Sequence, residues 1–277
     1  DEDLVQYKTT RNHPLETTYR GLKISSNHPP GGGIMVLEML NILEHFDLAA
    51  MGHNSVDYLR TVTEAMKRAT SDKDLYVGDP EFVDVPLDRL ISKEHARSHS
   101  DEIRSGQRAS VERMSYESKD TTHVCVVDKD GNSASMTHSL GMPSGVITNG
   151  LGFMYNGCMG VFDPRPGNAD SLAPGKSRFS SLCPTMVFED DELRYVVGAP
   201  GGTQIAMGVT QVLLNSIDFD MAVTCLSAQV CIENLFDTIF ANLKTWKFEH
   251  RITRHFLPGN RRHITKYMSE IICKRIL

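Results

Sequence analysis

The chain has 277 residues, 40% hydrophobic, 23% charged and 7% aromatic, with a mean hydropathy of -0.27. This is the composition of an ordinary globular chain, too apolar for intrinsic disorder and long enough to bury a core as one or two domains. A net charge of -6 and a pI near 6.0 give no sign of nucleic-acid binding, and no run approaches the roughly 18 apolar residues of a membrane-spanning helix.

The sequence begins at Asp1 with neither an initiator Met nor a signal-peptide pattern, so it reads as a fragment or a processed piece. A short acidic helix is expected from Glu2 to Tyr7, then a strand, YRGLKISS, and a loop, HPPGGG. From about Ile34 to Phe46 the apolar residues Met35, Leu37, Leu40, Leu43 and Phe46 fall roughly on one helical face. Ser55 is placed to cap a second helix, Val56 to about Ala69, with Leu59, Val62 and Met66 at helical spacing. Residues 72–120 read as polar and loop-rich, with short helical turns such as one around Leu90.

The character changes at Thr122. THVCVV is β-branched and apolar, DKDGN is a strong turn signal, and SASMTHS alternates as a return strand. Further strands are expected at GFMYNG, near 152–157, and at TMVF turning through EDDE into LRYVVGA. Glycine and proline crowd 141–176, a loop region of functional character. An apolar helix follows GAPGG, from Gln204 to Asn215. Helices, hairpins and a further helix predict an α+β fold in which helices cover antiparallel sheets.

Cysteines at 125, 158, 183, 225, 231 and 273 make no CxxC pair and have no zinc spacing. Gly175-Lys176-Ser177 resembles the end of a phosphate loop, but Asp170 stands where its first glycine belongs. GMPSG places Ser144 one residue too late for a nucleophile elbow. His95 and His99 are spaced i,i+4, yet with no HExxH and no third ligand nearby in sequence a solvated helix face is the better reading. No metal or cofactor is implied. The tail from Thr224 to Leu277 carries a net +5, leaving -11 for the remainder, and this break marks a boundary.

One string offers chemistry: Asp120-Thr121-Thr122-His123, where a polar loop meets a buried-looking strand. A Thr hydroxyl is a poor nucleophile unless an adjacent group takes its proton. Making Thr the first residue of a chain solves this, because its own α-amine, with an ordinary pKa of about 7.7–8.0, becomes the base. On spacing alone, a Thr-rich strand start explains the string more simply.

The surrounding strings resemble the γ-glutamyltransferase (γ-glutamyltranspeptidase, glutathione hydrolase) family. They include YRGLKISSNHPPGGG, YVGDPEFV, TTHVCVVDKDGNSASMT, NGLGFMYNGCM, APGKSRFSSLCPTMVF and GAPGG, in order over roughly residues 1–223. The resemblance implies the four-layer αββα sandwich of N-terminal nucleophile hydrolases, incomplete here at both ends. It also implies maturation by autocleavage between Asp120 and Thr121 into large and small subunits. The implied division is a large-subunit remnant at 1–120, a catalytic sheet region at 121–223 and a divergent tail at 224–277. Thr121 would be nucleophile and base, with Ser139 hydrogen-bonding it. Gly201 and Gly202 would supply the oxyanion N–H groups, and Ser180 and Ser181 would bind the substrate α-carboxylate. The implied reaction cleaves γ-glutamyl or related carboxylated amides such as glutathione, ending in hydrolysis or transfer to an amine. The implied location is secreted, periplasmic or membrane-anchored.

Three recognition positions depart from the family. Gly141 replaces Asn, Cys158 replaces Gln or Glu, and Val161 replaces Asp, the partner of the glutamyl ammonium. Asp163 compensates only if its loop shifts. The family's carboxylate-binding Arg belongs to a portion preceding Asp1. In the tail, Ile232, Leu235, Phe236, Ile239, Phe240, Leu243 and Trp246 describe a basic amphipathic helix, suited to a membrane surface, a partner or simple packing. The alternative to an enzyme is an unprocessed, inactive homologue that serves only as a binding or structural partner.

Overall fold

Residues 5–111 and 121–221 are described by this computed structural model. In chain order the elements are β1 (Leu15–Tyr19), β2 (Leu22–Ser26), α1 (Gly33–Leu43), α2 (Leu48–Met51), α3 (Val56–Tyr76), α4 (Leu87–Leu90) and α5 (Lys93–Arg104). Then come β3 (Thr121–Val127), β4 (Ser133–Ser139), β5 (Pro143–Ile147), β6 (Met154–Asn156), β7 (Thr185–Glu189), β8 (Glu192–Val197) and α6 (Ile205–Ile217).

Two tight turns shape the main sheet. Arg20 and Gly21 both take positive φ (51° and 81°), the pattern of a type I′ turn whose twist suits an antiparallel hairpin. YRGLKISS is therefore the corner and second arm of the β1–β2 hairpin rather than one strand. Asp190 and Asp191 repeat the device (φ 49° and 65°) between β7 and β8, where EDDE predicts a turn. Antiparallel pairing of β2 with β7 completes the order β1-β2-β7-β8. Segments from either side of residue 120 thus share one sheet.

Leu22, Ile24, Val187 and Val197 point from this sheet into the main apolar core. α1 lies across β1 and β2 and is flanked by α3, α5 and α6. Every residue of α1 is buried, including Glu38 and Asn41, so the expected single apolar face is buried all round. Ser55 caps α3 as expected, accepting from the Tyr58 N–H, but the helix runs to Tyr76, beyond Ala69. The region read as loop-rich holds α5, a full twelve-residue helix capped by Ser92. Its KEHARSHSDEIR sequence hides it, because only Ala96 and Ser100 are buried and no apolar stripe forms. The expected solvated face at His95 and His99 is overturned: these side chains are 17% and 16% exposed and both meet Asp72.

The β3–β4 hairpin packs on the other side of the sheet. His123 and Cys125 are buried there, and the ring of His123 lies so close to Gly198 that a Cβ on that glycine would fall 2.1 Å from it. Ser133 Oγ contacts Met186 Sδ at 3.6 Å. On the hairpin's outward face Val124, Val126 and Met136 are 44%, 56% and 58% exposed. The α+β expectation holds. The Glu2–Tyr7 helix begins in residues outside those described, as do Asp120 and the whole of the 224–277 tail.

Candidate active site

The DKDGN turn sets the register of the β3–β4 hairpin and thereby builds the centre of the site. With Asp128 accepting from the backbone of Asp130 and Asn132, Thr121 falls directly opposite Ser139. Their hydroxyl oxygens are 2.8 Å apart. Ser139 Oγ also accepts from the Gly141 N–H at 2.9 Å, which fixes its rotamer against β3. Both residues open onto a cavity that Ser180, Ser181, Gly202 and Asp163 also line.

The serine pair is held by the HPPGGG loop. Ser180 donates its N–H to Pro30 O at 2.7 Å, and the Gly32 N–H donates to Leu182 O at 3.0 Å. A Cβ on Gly32 would stand 2.6 Å from Ser181 O, so glycine is what allows the two backbones to meet. The Ser181 hydroxyl donates to Gly202 O in a short hydrogen bond, linking the serines to the glycine corner. There Gly201 and Gly202 take φ of 139° and 56°, which side-chain-bearing residues rarely adopt.

His123 shares a strand face with Thr121 but serves the packing. Its Nδ1 meets Thr137 Oγ1 at 2.8 Å and its Nε2 meets Cys125 Sγ at 3.0 Å, while burial lowers its pKa. Both ring nitrogens are engaged within the hairpin, which leaves no histidine base for Thr121 from this strand.

At the recognition end the departures fit one another. Gly141 has φ 66°, and a Cβ there would lie 2.7 Å from Cys158 Sγ and 3.5 Å from an Arg178 nitrogen. The thiol and the guanidinium thus crowd the space an asparagine would take. Asp163 lines the cavity, but its carboxylate is held by Arg165 Nη2 at 2.8 Å and Asn168 Nδ2 at 2.8 Å. The Arg165 hydrogen bonds keep it ionised well below the usual carboxylate range. Asp163 is thus already paired. Sequence reasoning missed Arg178 and Lys73 in the cavity wall: Arg178 sits in the APGKSRFSS string with no role assigned to it, and Lys73 belongs to no motif.

Asp170, also on the wall and 9% exposed, accepts from the Phe179 N–H at 2.6 Å. Burial pushes its pKa up to about 6, against the pull of that N–H and of Lys73, Lys176 and Arg178. Raised above its unfolded value, this carboxyl binds its proton more tightly when folded, so its contribution to stability falls between about pH 4 and 6. Asp170→Asn keeps an oxygen for Phe179 and removes the buried charge. The variant is expected to gain on the order of 2 kcal/mol at pH 7 and nothing at pH 3.5, read from urea unfolding at the two pH values.

The family model for gamma-glutamyltranspeptidase matches residues 1–255, past Val223, where the resemblance first read from the sequence stops. Glutathione hydrolase proenzyme of Escherichia coli (strain K12) is 37% identical over 246 residues, covering 80% of this chain and 42% of the relative. Acylase ACY 1 proenzyme of Pseudomonas sp. (strain V22) is 38% identical over 225 residues, covering 79% and 40%. The crystal structure of cephalosporin acylase from Bacillus halodurans superimposes with a TM-score of 0.67 at 28% identity, covering 79% of this chain and 40% of that one. The chain therefore spans about two fifths of the length of these relatives.

Proposed function

The chain belongs to the gamma-glutamyltranspeptidase family, and on that premise we propose that it carries the catalytic portion of an autoprocessing amide hydrolase. In this reading the peptide bond between Asp120 and Thr121 is cut. Thr121 Oγ1 then attacks an amide carbonyl while its freed α-amine takes the hydroxyl proton. The amine passes that proton to the leaving nitrogen, and water or an acceptor amine releases the acyl group. Ser139 holds the nucleophile's rotamer, the N–H groups of Gly201 and Gly202 meet the oxyanion, and Ser180 and Ser181 receive a substrate carboxylate. The reading is carried by the 2.8 Å contact of Thr121 with Ser139 in a cavity shared with Ser180, Ser181 and Gly202. The fold we infer for the whole enzyme is the four-layer αββα sandwich, divided at 120/121 into large-subunit and small-subunit segments.

The acyl donor in this proposal is a carboxylated acyl group without an α-ammonium, such as the monoamide of an aliphatic dicarboxylic acid. Val161 offers an ammonium no partner, and Asp163 is occupied by Arg165. Arg178 spends one N–H on Phe179 O, and a guanidinium has five to give. Relatives are called glutathione hydrolase and acylase, so names in the family are not confined to glutathione. The test is turnover of a γ-glutamyl anilide beside the anilide lacking only the α-amino group, on protein confirmed as cut by mass. The desamino substrate is expected to be faster by at least about tenfold in kcat/KM. Equal or faster use of the glutamyl compound overturns this specificity.

A second reading, an uncut homologue that works only with another polypeptide, is favoured by the exposed Val124, Val126 and Met136. Cleavage of the purified chain at Thr121 without any added partner would reject it.

A further inference from the structure

Three helices bring four ligand-type side chains to one point. Glu38 of α1, Asp72 of α3 and His95 and His99 of α5 each present one atom, all within 4.8 Å of one another. His95 Nε2 is 2.6 Å and His99 Nε2 3.1 Å from Asp72 Oδ2, and each is 3.9 Å from Glu38 Oε1. Glu38 is 2% exposed, and its Oε1 has no hydrogen-bond partner among the described residues. A buried carboxylate oxygen without a partner, aimed at a second carboxylate and two imidazoles, is costly in a protein interior.

We propose that Glu38, Asp72, His95 and His99 form a structural site for a divalent transition metal of the zinc class. Zinc bound at about 2.0–2.1 Å places tetrahedral ligand atoms about 3.3 Å apart, inside the range the four atoms already span. Two imidazoles and two carboxylates suit zinc better than calcium or magnesium, and the carboxylates cancel its charge. Four protein ligands leave no open position, so the ion is a clamp across α1, α3 and α5 and has no part in the amide chemistry. Without metal, burial and the neighbouring Asp72 carboxylate raise the pKa of Glu38, an unfavourable pairing that a bound cation offsets. Each imidazole binds through the Nε2 lone pair with its proton moved to Nδ1. For His99 that proton points at Glu102 Oε2, 3.5 Å away, in the carboxylate–histidine arrangement common behind metal ligands.

The test uses the full 277-residue chain, stripped with chelator and titrated with zinc. The expected results are one zinc per chain by elemental analysis, a higher melting temperature, and with cobalt(II) the intense visible bands of tetrahedral coordination. Glu38→Gln and His95→Gln, checked as folded by circular dichroism, are expected to lose both the bound metal and the melting shift. Because these variants can themselves affect folding, the stripped wild-type chain supplies an independent reading. Failure of that folded chain to take up zinc overturns the proposal, as does undiminished binding by both variants, which would put the metal elsewhere. Self-cleavage is scored separately, so its failure leaves this result intact.

Discussion

Thr121→Ala is expected to leave the chain in one piece after incubation at neutral pH, while the unaltered chain yields two fragments, the larger beginning at Thr121. Intact mass and N-terminal sequencing read this directly. Amidase activity of the variant is expected to fall by about 10⁴-fold or more, the order of loss when a nucleophile is removed. Thr121→Ser retains a hydroxyl and a future α-amine, so cleavage slows without stopping. The contrast matters because His123, the obvious neighbouring base, is committed to Thr137 and Cys125. Cleavage in Thr121→Ala would mean that a different bond or nucleophile is at work.

The next largest effect is expected from Ser139→Ala. Its hydroxyl lies between the Gly141 N–H and Thr121 Oγ1, 2.9 and 2.8 Å away, and sets where the Thr121 oxygen points. Losing it is expected to lower kcat by about 10²-fold with little change in KM, since no substrate contact is assigned to Ser139. Ser139→Thr supplies the same hydroxyl from a strand-compatible residue and is expected to restore activity to within about tenfold. A Ser139→Ala variant with unchanged kcat would remove Ser139 from the mechanism.

The parts of the fold legible in the sequence are those whose signals are local. DKDGN between two alternating strands predicts the β3–β4 hairpin, and Thr121 and Ser139 each stand nine residues from Asp130, so their pairing follows from the turn. EDDE predicts the β7–β8 corner for the same reason. The Arg20–Gly21 corner went unread because arginine at positive φ carries no turn signal of its own; Arg20 is held there by hydrogen bonds to Glu44, Phe46 and Asp218. α5 went unread because its inward surface is two small residues and two histidines instead of an apolar stripe. In the candidate site, Ser180, Ser181, Gly201 and Gly202 were legible only through the family resemblance, since nothing local marks them. The fit of Gly141 to Cys158 and Arg178 depends on contacts across the loop region that no spacing encodes. The Glu38–Asp72–His95–His99 cluster is the extreme case: half of it is visible as an i,i+4 pair, and the other half arrives from two other helices.

The pairing of β2 with β7 has a thermodynamic consequence. Register partners such as Ile24 with Val187 and Ser26 with Thr185 straddle the Thr121 bond in sequence. Before the proposed cut, folding is unimolecular and the two halves find each other at the high effective concentration of one chain. After it, global unfolding is also a dissociation, and the midpoint of denaturation depends on protein concentration. The interwoven sheet would thus turn the proposed cut into a one-way step: the chain assembles as one molecule and, once cut and melted at high dilution, would have to reassemble as two.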